Sequence, residues 1–510
     1  MSQPRSRPAW KSTTSGRFLV SSSGSNIPLP DVISDLASKT TRGAGWRAIE
    51  TAGSEGLSFI LFVILARLLL PEDFGIVALA SSIVLSLQCL LQFGLPESLI
   101  QRSNLTEENI HSAMTASFVF GLMLVGLTWV IAWPLAWLLG RPEFPPIFLG
   151  MSSVLVLQSL SFPLHGLLRR ELNMRAIAIR TLMATSLGGI TAASLAFNGF
   201  GPWSLVAQQL IVASVGLIML LRVSKYRPWP FRFKKEALQP LLRVARPVML
   251  GQFATQAARR LDAVALGLFL GNHEVGIYFL VTRVVQAVQM VTQFSIGELT
   301  LAVLSRLQDE PERMREGVRR ALKLTSYVCL LFFGALSLAA PVLVPVVFGQ
   351  AMADASEPLR ILALFATAGA IISTVVHVLV SANAASTSSW VAVGAALVQL
   401  AAVFFAARFG MIPLVIAIGA VQLILVLPSF HLLSSHVGLP RASLVLDQVP
   451  ILIGFGVSWL AASMIGQFAG IDSALISSML SALLFGIVMI SIGAFIFRRD
   501  WPALFRAKKA

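Results

Sequence analysis

Ionisable and amide side chains inside otherwise apolar segments are the residues of this sequence that could do chemistry. A charged side chain at the centre of a bilayer costs about 3 kcal/mol on insertion scales, so such residues usually face a water-filled path or a partner. They are Arg47, Glu50 and Glu55 in the first apolar segment, Arg180 in the fifth, Gln252, Gln256, Arg259, Arg260 and Asp262 in the seventh, and Arg283, Gln286 and Gln289 in the eighth. We expect this set to line a polar path through the protein.

The spacing within these segments favours polar faces. Gln252, Gln256 and Arg259 fall on one face of a helix, because residues three and four apart are neighbours there. Gln286 and Gln289 share a face of the next helix in the same way. Arginines outnumber acids in the set, and the planar donor fork of arginine fits phosphate. The pattern therefore favours an anionic ligand.

The same side chains have a second explanation, as ion pairs that hold helices together. Arg47 and Glu50 are three residues apart, and Arg259 and Arg260 lie beside Asp262. Because the acids are fewer than the arginines, pairing does not account for every cation. Both explanations stay open for any single residue.

Catalysis and nucleic-acid binding find no support in the residue pattern. The six histidines lack the spacing of metal ligands, and the two cysteines, Cys89 and Cys329, lie inside apolar segments. No nucleophile, phosphate-loop or zinc-protease motif appears in a suitable context. The formal net charge is +15, but no basic stripe lies on a foldable soluble segment. We therefore expect no enzyme, no metal, no cofactor and no nucleic-acid partner.

The elements that must position these residues are membrane-spanning helices. The 510 residues are 56% hydrophobic and only 12% charged, whereas soluble domains carry roughly 25% charged residues. The mean hydropathy is +0.79. Runs long enough to span a bilayer lie at 46–70, 74–96, 112–139, 147–168, 177–198, 203–223, 246–270, 274–303, 321–347, 358–382, 388–408, 411–434, 449–469 and 474–497. The sequence predicts an all-α membrane protein with about fourteen transmembrane helices.

The distribution of Lys and Arg predicts the orientation. Counted from a cytoplasmic N-terminus, the inside connections 169–175, 222–246 and 304–323 and the tail 498–510 hold most of the cations. The outside connections hold little beyond Arg141, Arg360 and Arg408. Positive charge accumulates on the cytoplasmic side of membrane proteins. We therefore expect a multi-pass protein of the bacterial inner membrane with both termini in the cytoplasm.

A weak internal repeat divides the chain. Residues 68–76 can be laid over residues 269–277, and each copy joins two long apolar helices through a short acidic turn. Parallel repeats of this kind are a transporter architecture. The predicted parts are a disordered cytoplasmic tail at 1–42, a six-helix N-lobe at 43–224, a cytoplasmic inter-lobe linker with a short interfacial helix at 225–245, a six-helix C-lobe at 246–436, two further helices at 437–499 and a basic cytoplasmic tail at 500–510.

The turn in the first copy has a structural explanation. Pro71 suits the first turn of a helix, and Glu72 and Asp73 complement the positive end of its dipole. Gly75 permits close packing of a neighbouring backbone. We expect Arg67 to pair with Glu72 or Asp73.

Three stretches give the chain a resemblance to the Wzx-type polysaccharide flippases, the polysaccharide-transporter branch of the multidrug/oligosaccharidyl-lipid/polysaccharide exporter superfamily, particularly the colanic-acid and teichuronic-acid group. The first stretch resembles a signature of that group through Arg67, Pro71, Asp73, Phe74 and Gly75. The second carries Arg170 and Glu171, with Met174 where phenylalanine is usual, and the third carries Gly276 and Tyr278. The resemblance covers roughly residues 43–440.

The resemblance implies two pseudo-symmetric lobes around a V-shaped cavity, as in MATE-like and MurJ-like proteins, and alternating access. Its implied substrate is a polyprenyl-diphosphate-linked oligosaccharide destined for exopolysaccharide or lipopolysaccharide. Membrane lipids, a polysaccharide polymerase and a co-polymerase are the expected partners, with H⁺ or Na⁺ as the coupling ion. Glu50, Glu55 and Asp262 are candidates to carry a proton.

Two other functions remain as alternatives. A MATE-type multidrug or cation antiporter on the same fold would need anionic binding residues, for which Glu50 and Glu55 qualify, but the excess of arginines disfavours it. A membrane polymerase or ligase would usually present a long outside loop with catalytic residues, and the outside connections of this chain are short.

Overall fold

A computed structural model describes the backbone of residues 29–92, 94–102, 104–229, 231–304, 310–381, 385–468 and 474–496. Every regular element in those ranges is helical. The α-helices are α1 (Leu29–Leu68), α2 (Pro71–Gln92), α3 (Leu95–Gln101), α4 (Glu107–Leu139), α5 (Phe144–Ser152), α6 (Val154–Arg170), α7 (Met174–Phe197), α8 (Pro202–Val223), α9 (Lys235–Phe269), α10 (Asn272–Leu304), α11 (Pro311–Phe348), α12 (Ser356–Ser381), α13 (Ala385–Ala406), α14 (Met411–Val437), α15 (Arg441–Leu446), α16 (Val449–Phe468) and α17 (Ala474–Ile496).

The predicted all-α membrane architecture is confirmed. Within the described residues, 12 helices are long and apolar enough to cross a membrane, and a shorter apolar helix covers Val393–Phe409. Helices α9 and α13 occupy the remaining predicted positions, but part of their side chains lie outside the described residues. Each predicted run is covered by helix, but α1, α9 and α11 begin ten or more residues earlier than predicted, and the total of about fourteen stays approximate.

The start of α1 corrects one boundary. The helix begins at Leu29, so residues 29–42, predicted as part of a disordered tail, have a helical backbone. Pro30 and Asp31 are a helix-start signal, since proline fits the first turn and an acid there complements the dipole. Residues 1–28 and 497–510 lie outside the described part.

The bundle has two chemically different ends. The turns between α1 and α2, α4 and α5, and α9 and α10 lie at one end, together with Glu72, Glu143, Glu274 and Asp354. We call this the acidic end. The opposite end carries Arg169, Arg222, Lys234 and Arg319 and is called the basic end. This separation matches the predicted alternation of charge along the chain.

The helices pack in two halves, α1–α8 and α9–α14, that meet along α2, α9 and α10. One hydrophobic cluster runs through both halves and includes Phe62 and Leu79 from the first and Leu266, Val281 and Phe348 from the second. The halves therefore share a core, and α2 lies at its centre. The exact lobe boundaries stay a prediction.

Two glycines set the closest approach between the halves. A Cβ atom added at Gly75 would overlap the carbonyl of Asn272, and one added at Gly276 would overlap the carbonyl of Pro71. These contacts are reciprocal, because the aligned repeats place Gly75 on Gly276 and Pro71 on Asn272. Reciprocal contacts are what a local two-fold relation between α2 and α10 requires. The structure thus supports the repeat at the register found in the sequence.

The connection between the halves differs from the prediction. Residues 224–229 and 231–234 are not helical, and 231–234 lie along α4, so the helix expected within 226–246 begins at Lys235 and is the start of α9. The Lys234 N–H donates to Ser112 Oγ at 3.1 Å, and Asn109 Nδ2 donates to the Ala237 carbonyl at 2.8 Å. Leu241 packs in the hydrophobic cluster of the first half. The Leu pattern therefore belongs to the first turns of α9, which continue without a break.

The last helices are attached to α11. Arg319 forms two hydrogen bonds with the Asp447 carboxylate, at 2.6 and 2.8 Å, and Lys323 Nζ lies 3.0 Å from it. Farther along, Tyr327 donates to the Met489 carbonyl at 2.8 Å, and α11, α16 and α17 share a buried cluster around Phe485. These contacts join α15–α17 to the second half.

The glycine contacts predict a large effect of one methyl group. Gly75→Ala forces α2 away from α10, and overpacking of this kind costs about 1–3 kcal/mol. We expect a clear loss of thermal stability in detergent, measured by fluorescence-detected size-exclusion chromatography after heating. Gly126→Ala on α4 is the matched control, since a methyl group added there meets nothing within 4 Å. Equal melting temperatures for the two variants would show that the approach is not tight.

Candidate functional site

A cavity of about 750 Å³ lies between α1, α10 and α11, within the range of about 300–1,000 Å³ usual for ligand sites. Its walls are mostly apolar and include Phe59, Phe332 and Leu336. Among the residues whose side chains are described, the charged ones that line it are Glu55 on α1 and Arg283 on α10. This part of the cavity combines an apolar surface with an ion pair.

The ion pair joins the two halves of the protein. Arg283 Nη2 lies 3.7 Å from Glu55 Oε2, and both side chains are partly exposed to the cavity, by 31% and 48%. That separation is too long for a hydrogen bond. Gln286, one turn along α10, lines the cavity beside them. The guanidinium is thus loosely held and has donors to offer a ligand.

Other predicted path residues form a second group within the first half. Glu50 accepts a hydrogen bond from Thr181 at 3.1 Å, and Arg180 donates through Nε to the Gly216 carbonyl at 3.1 Å. Arg47 is exposed on α1. Arg47, Glu50 and Arg180 do not line the cavity. The structure therefore divides the predicted polar path into two places.

Sequence reasoning missed His165, which belongs to this second group. Its ring on α6 lies close enough to Arg47, Arg169 and Arg180 to interact with their charges. A lone histidine in an apolar segment gives no spacing signal. Its position relative to α1 and α7 comes only from the packing of the helices.

The predicted residues on α9 remain untested. Gln252, Gln256, Arg259, Arg260 and Asp262 lie on this helix by their backbone, but their side chains are outside the described residues. Gln289, on α10, is half-buried and is not among the residues that line the cavity. The predicted stripe on α10 thus reaches the cavity through Gln286.

Residues of the first signature stretch have hydrogen-bond partners other than those expected. Arg67 donates through Nε to the Val347 carbonyl at 2.8 Å and through Nη2 to the Val346 carbonyl, at the end of α11. The expected pairing of Arg67 with Glu72 or Asp73 is therefore wrong. The Asp73 carboxylate accepts from the Leu70 N–H at 3.1 Å and closes the α1–α2 turn.

Glu72 instead contacts His273 across the halves. Glu72 Oε1 lies 3.3 Å from His273 Nδ1, and the other ring nitrogen lies 3.1 Å from Asp354 Oδ2. Next to them, Asn272 Nδ2 donates to Glu143 Oε1 at 3.2 Å. Helix ends brought together by Gly75 and Gly276 place these polar groups side by side.

Aromatic rings close the cavity towards the acidic end. Phe62 packs on Phe74, Phe279 and Phe348 with ring centroids 5.7, 6.0 and 5.9 Å apart. Phe348 also lines the cavity. Phe74 of the first signature therefore belongs to an aromatic cluster that both halves contribute to.

The remaining signature residues have structural positions. Arg170 donates to the Leu99 carbonyl at 2.8 Å and to the Arg102 carbonyl, which joins α6 to the end of α3. Glu171 is exposed at the end of α6, and Tyr278 is buried in the shared core. Sequence similarity at these positions reflects helix packing.

A buried cation at the acidic end was not predicted to have partners. Arg141 is 7% exposed and donates to the carbonyls of Leu270 at 2.6 Å and Gly267 at 3.2 Å. Burial lowers its pKa, while the carboxylates of Glu143 and Glu274 act in the opposite direction. A guanidinium remains protonated under such conditions. The side chain is thus a fixed positive charge between the halves.

A second, smaller cavity of about 330 Å³ opens at the acidic end. Glu72, Asp73 and Glu143 line it together with Trp203 and Asn272. Its charge has the wrong sign for an anionic ligand. Among the described residues, no group of three or more His, Cys, Asp or Glu side chains is placed to hold a metal ion.

The fold defines a multi-pass α-helical membrane protein whose helices pack in two halves. A lipid II flippase, MurJ, in an inward closed conformation superimposes with a TM-score of 0.69 at 15% identity, over 89% of this chain and 98% of that one. An inward-facing MATE-family multidrug transporter gives 0.61 at 17% identity, over 75% and 94%. At such identities the likeness shows a shared fold.

The family follows from the sequence comparisons. The family model described as polysaccharide biosynthesis protein matches residues 64–357, and the chain belongs to this family. The succinoglycan biosynthesis transport protein ExoT of Rhizobium meliloti is 32% identical over 64% of this chain and 66% of its own length. The lipopolysaccharide biosynthesis protein WzxC of Escherichia coli is 22% identical over 62% and 64%. The chain thus matches somewhat less than two thirds of the length of these relatives, and the family resemblance deduced from the three stretches is confirmed.

The geometry of the ion pair predicts a small effect on stability. Partly exposed ion pairs contribute about 0–1 kcal/mol, so Glu55→Gln and Arg283→Gln should each change the unfolding free energy by less than about 1 kcal/mol. A double-mutant cycle of thermal or denaturant unfolding in detergent measures this. A coupling energy well above that limit would mean that the pair serves mainly to hold the helices together.

Proposed function

We propose that this protein carries a polyprenyl-diphosphate-linked oligosaccharide across the cytoplasmic membrane, for the assembly of exopolysaccharide or lipopolysaccharide, by alternating access. The observation that carries the proposal is the composition of the large cavity. Its apolar walls suit an isoprenoid chain, Arg283 suits a diphosphate, and the amide of Gln286 suits hydroxyl groups.

The chemistry of the ligand explains the arrangement of charge. A diphosphate leaving water needs a cation, and arginine offers two parallel donors to phosphate oxygens. In the structure, Glu55 neutralises Arg283 at 3.7 Å. A diphosphate carries more negative charge and more acceptor oxygens than a carboxylate, so it displaces Glu55 from the guanidinium.

The comparisons support the same substrate class. The relatives named for succinoglycan, lipopolysaccharide and teichuronic acid biosynthesis concern different polymers, and the flippase with the same fold is named for lipid II. Polysaccharide biosynthesis in the relatives and a lipid substrate in the fold neighbour together support a lipid-linked saccharide as the ligand class. The identity of the sugar unit varies among them.

The charge at the two ends of the bundle supports the orientation. With the N-terminus in the cytoplasm, the basic end faces inward and the acidic end outward, as the positive-inside rule requires. The lobes at residues 43–224 and 246–436 then alternate between openings at the two ends, and α15–α17 move with the second lobe. A polymerase and a co-polymerase act on the delivered unit, and H⁺ or Na⁺ supplies the coupling.

A multidrug or cation antiporter is the second candidate. The observation in its favour is Glu55, an acid in a largely apolar cavity. For an antiporter, we expect Glu55→Gln to lose ethidium efflux and Arg283→Gln to keep it. For a transporter of a lipid-linked substrate, we expect Arg283 to matter more than Glu55. An efflux assay and a polymer assay on the same variants therefore separate the two functions.

Replacement of Arg283 should impair export. Arg283→Gln removes a charge-assisted contact worth about 1.5–3 kcal/mol, so export should fall about 10- to 100-fold. The measurement is surface polysaccharide in a strain whose own transporter is deleted, normalised to the amount of protein in the membrane. Arg283→Lys keeps the charge but not the fork, and should retain intermediate activity.

Arg313→Gln is the matched control, because Arg313 is 72% exposed at the basic end and, among the described contacts, pairs only with Glu310 at the start of α11. It should leave polymer production unchanged. Full polymer production by Arg283→Gln at normal protein levels would contradict the proposed role of the cavity.

A further prediction tests the α9 arginines. If Arg259 and Arg260 face the transport path, their double alanine variant abolishes surface polysaccharide while the protein still inserts. The measurement combines the same polymer assay with membrane fractionation. Normal polymer from a stably inserted double variant would remove both residues from the site.

A further inference from the structure

Two arginines cross between the halves at the acidic end. Arg67, near the end of α1, donates to the carbonyls of Val346 and Val347 at the end of α11. Arg141, just after α4, donates to the carbonyls of Gly267 and Leu270 at the end of α9. Both donors belong to the first half and both acceptors to the second.

Each arginine meets the same kind of acceptor. The last carbonyls of a helix have no partner within the helix, and they carry the negative end of its dipole. A guanidinium satisfies two of them at once. Arg141 is almost fully buried, whereas Arg67 is exposed. Loss of either contact therefore leaves two helix-end carbonyls without this donor, and those held by Arg141 lie in the more buried place.

The internal repeat shows that the two contacts are equivalent. The repeat aligns α1 with α9 and α4 with α11, so the crossing of α1 with α11 corresponds to the crossing of α4 with α9. The residue aligned with Arg67 is Leu268. An arginine therefore bridges both crossings but comes from a different helix in each. The bridge is repeated, although the residue position is not.

The contacts lie on either side of the close glycine approach and above the cavity. Val347 and Phe348 line the cavity, and Arg67 holds the backbone carbonyl of Val347. The aromatic cluster around Phe62 includes Phe348 and so lies next to this contact. Separation of the halves at the acidic end would part α1 from α11 and α4 from α9, and would break both arginine contacts.

We propose that Arg67 and Arg141 form a two-point latch that holds the acidic end closed, and that both points release when the cavity opens there. This inference rests on the proposed alternating access and not on the identity of the substrate. His273 with Glu72, and Asn272 with Glu143, add weaker contacts between the halves at the same end. They remain when the arginines are replaced, so each replacement shifts the population of closed molecules and does not abolish it.

The test is a distance measurement across the acidic end. Spin labels at Phe200→Cys and Ala351→Cys, exposed in the first and second halves, report the separation by pulsed electron paramagnetic resonance of protein in lipid nanodiscs. Cys89 and Cys329, both buried, are replaced by alanine. The unchanged latch should give one short distance. Arg67→Gln and Arg141→Gln should each raise the ratio of long to short distances about tenfold, and the double variant should raise it further.

Arg408→Gln is the matched control. Arg408 lies at the same end, over the rings of Phe269 and Phe404 in its own half, at 5.2 and 5.5 Å. It should leave the distance distribution unchanged. Arg67→Lys and Arg141→Lys keep the charge with fewer donors, and should give intermediate ratios if the parent variants fold poorly.

A label pair within the first half, Phe200→Cys with Trp137→Cys, separates a latch from a scaffold. A latch leaves this distance unchanged, whereas a general loss of packing broadens it. Distributions for Arg67→Gln and Arg141→Gln that match Arg408→Gln, or that broaden within one half as well, would overturn the proposal. Because no substrate is present, a positive result stands even if Arg283→Gln exports normally and the proposed function fails.

Discussion

The backbones of α2 and α10 approach each other more closely than side chains allow, and the arrangement of the two halves depends on this contact. Gly75 lies against the carbonyl of Asn272, and Gly276 against that of Pro71. Each glycine thus makes room for the start of the opposite helix, which leaves the helix ends of both halves side by side. Phe74, next to Gly75, packs on Phe62 and Phe279 in the aromatic cluster shared by both halves.

The position of the cavity follows from the same packing. With α2 against α10 at the acidic end, α1 and α11 diverge below it and leave an apolar space. A membrane protein tolerates few charges in such a place, and each needs a partner or water. Glu55 and Arg283 meet this need by facing each other at a distance too long for a hydrogen bond. A loosely held guanidinium can exchange its partner for an anionic ligand, and the displaced Glu55 carboxylate, 48% exposed, can then be solvated or protonated.

Much of the fold could be predicted, because long apolar runs in lipid can only become helices, whose backbone groups are satisfied within the segment. The repeat also predicted which glycines correspond, because its alignment places Gly75 on Gly276. The predictions for polar residues were less successful. Arg67 was expected to bind the nearest acids, but Asp73 closes its own turn and Glu72 meets His273. Local charge spacing does not reveal which helix end lies within reach.

The sequence by itself determined the membrane environment, the placement of the helices, the charge difference between the two ends and the family. These are properties of short segments, and hydropathy, charge and motif are sufficient to recognise them. The tertiary structure alone decided that Arg283 faces Glu55 while Arg180 binds Gly216, and that Arg141 meets the end of α9. Such pairings join residues far apart in the chain. They depend on the angles at which helices cross and on how each helix is rotated about its own axis. Because an apolar helix can face lipid on any side, its local sequence does not determine that rotation.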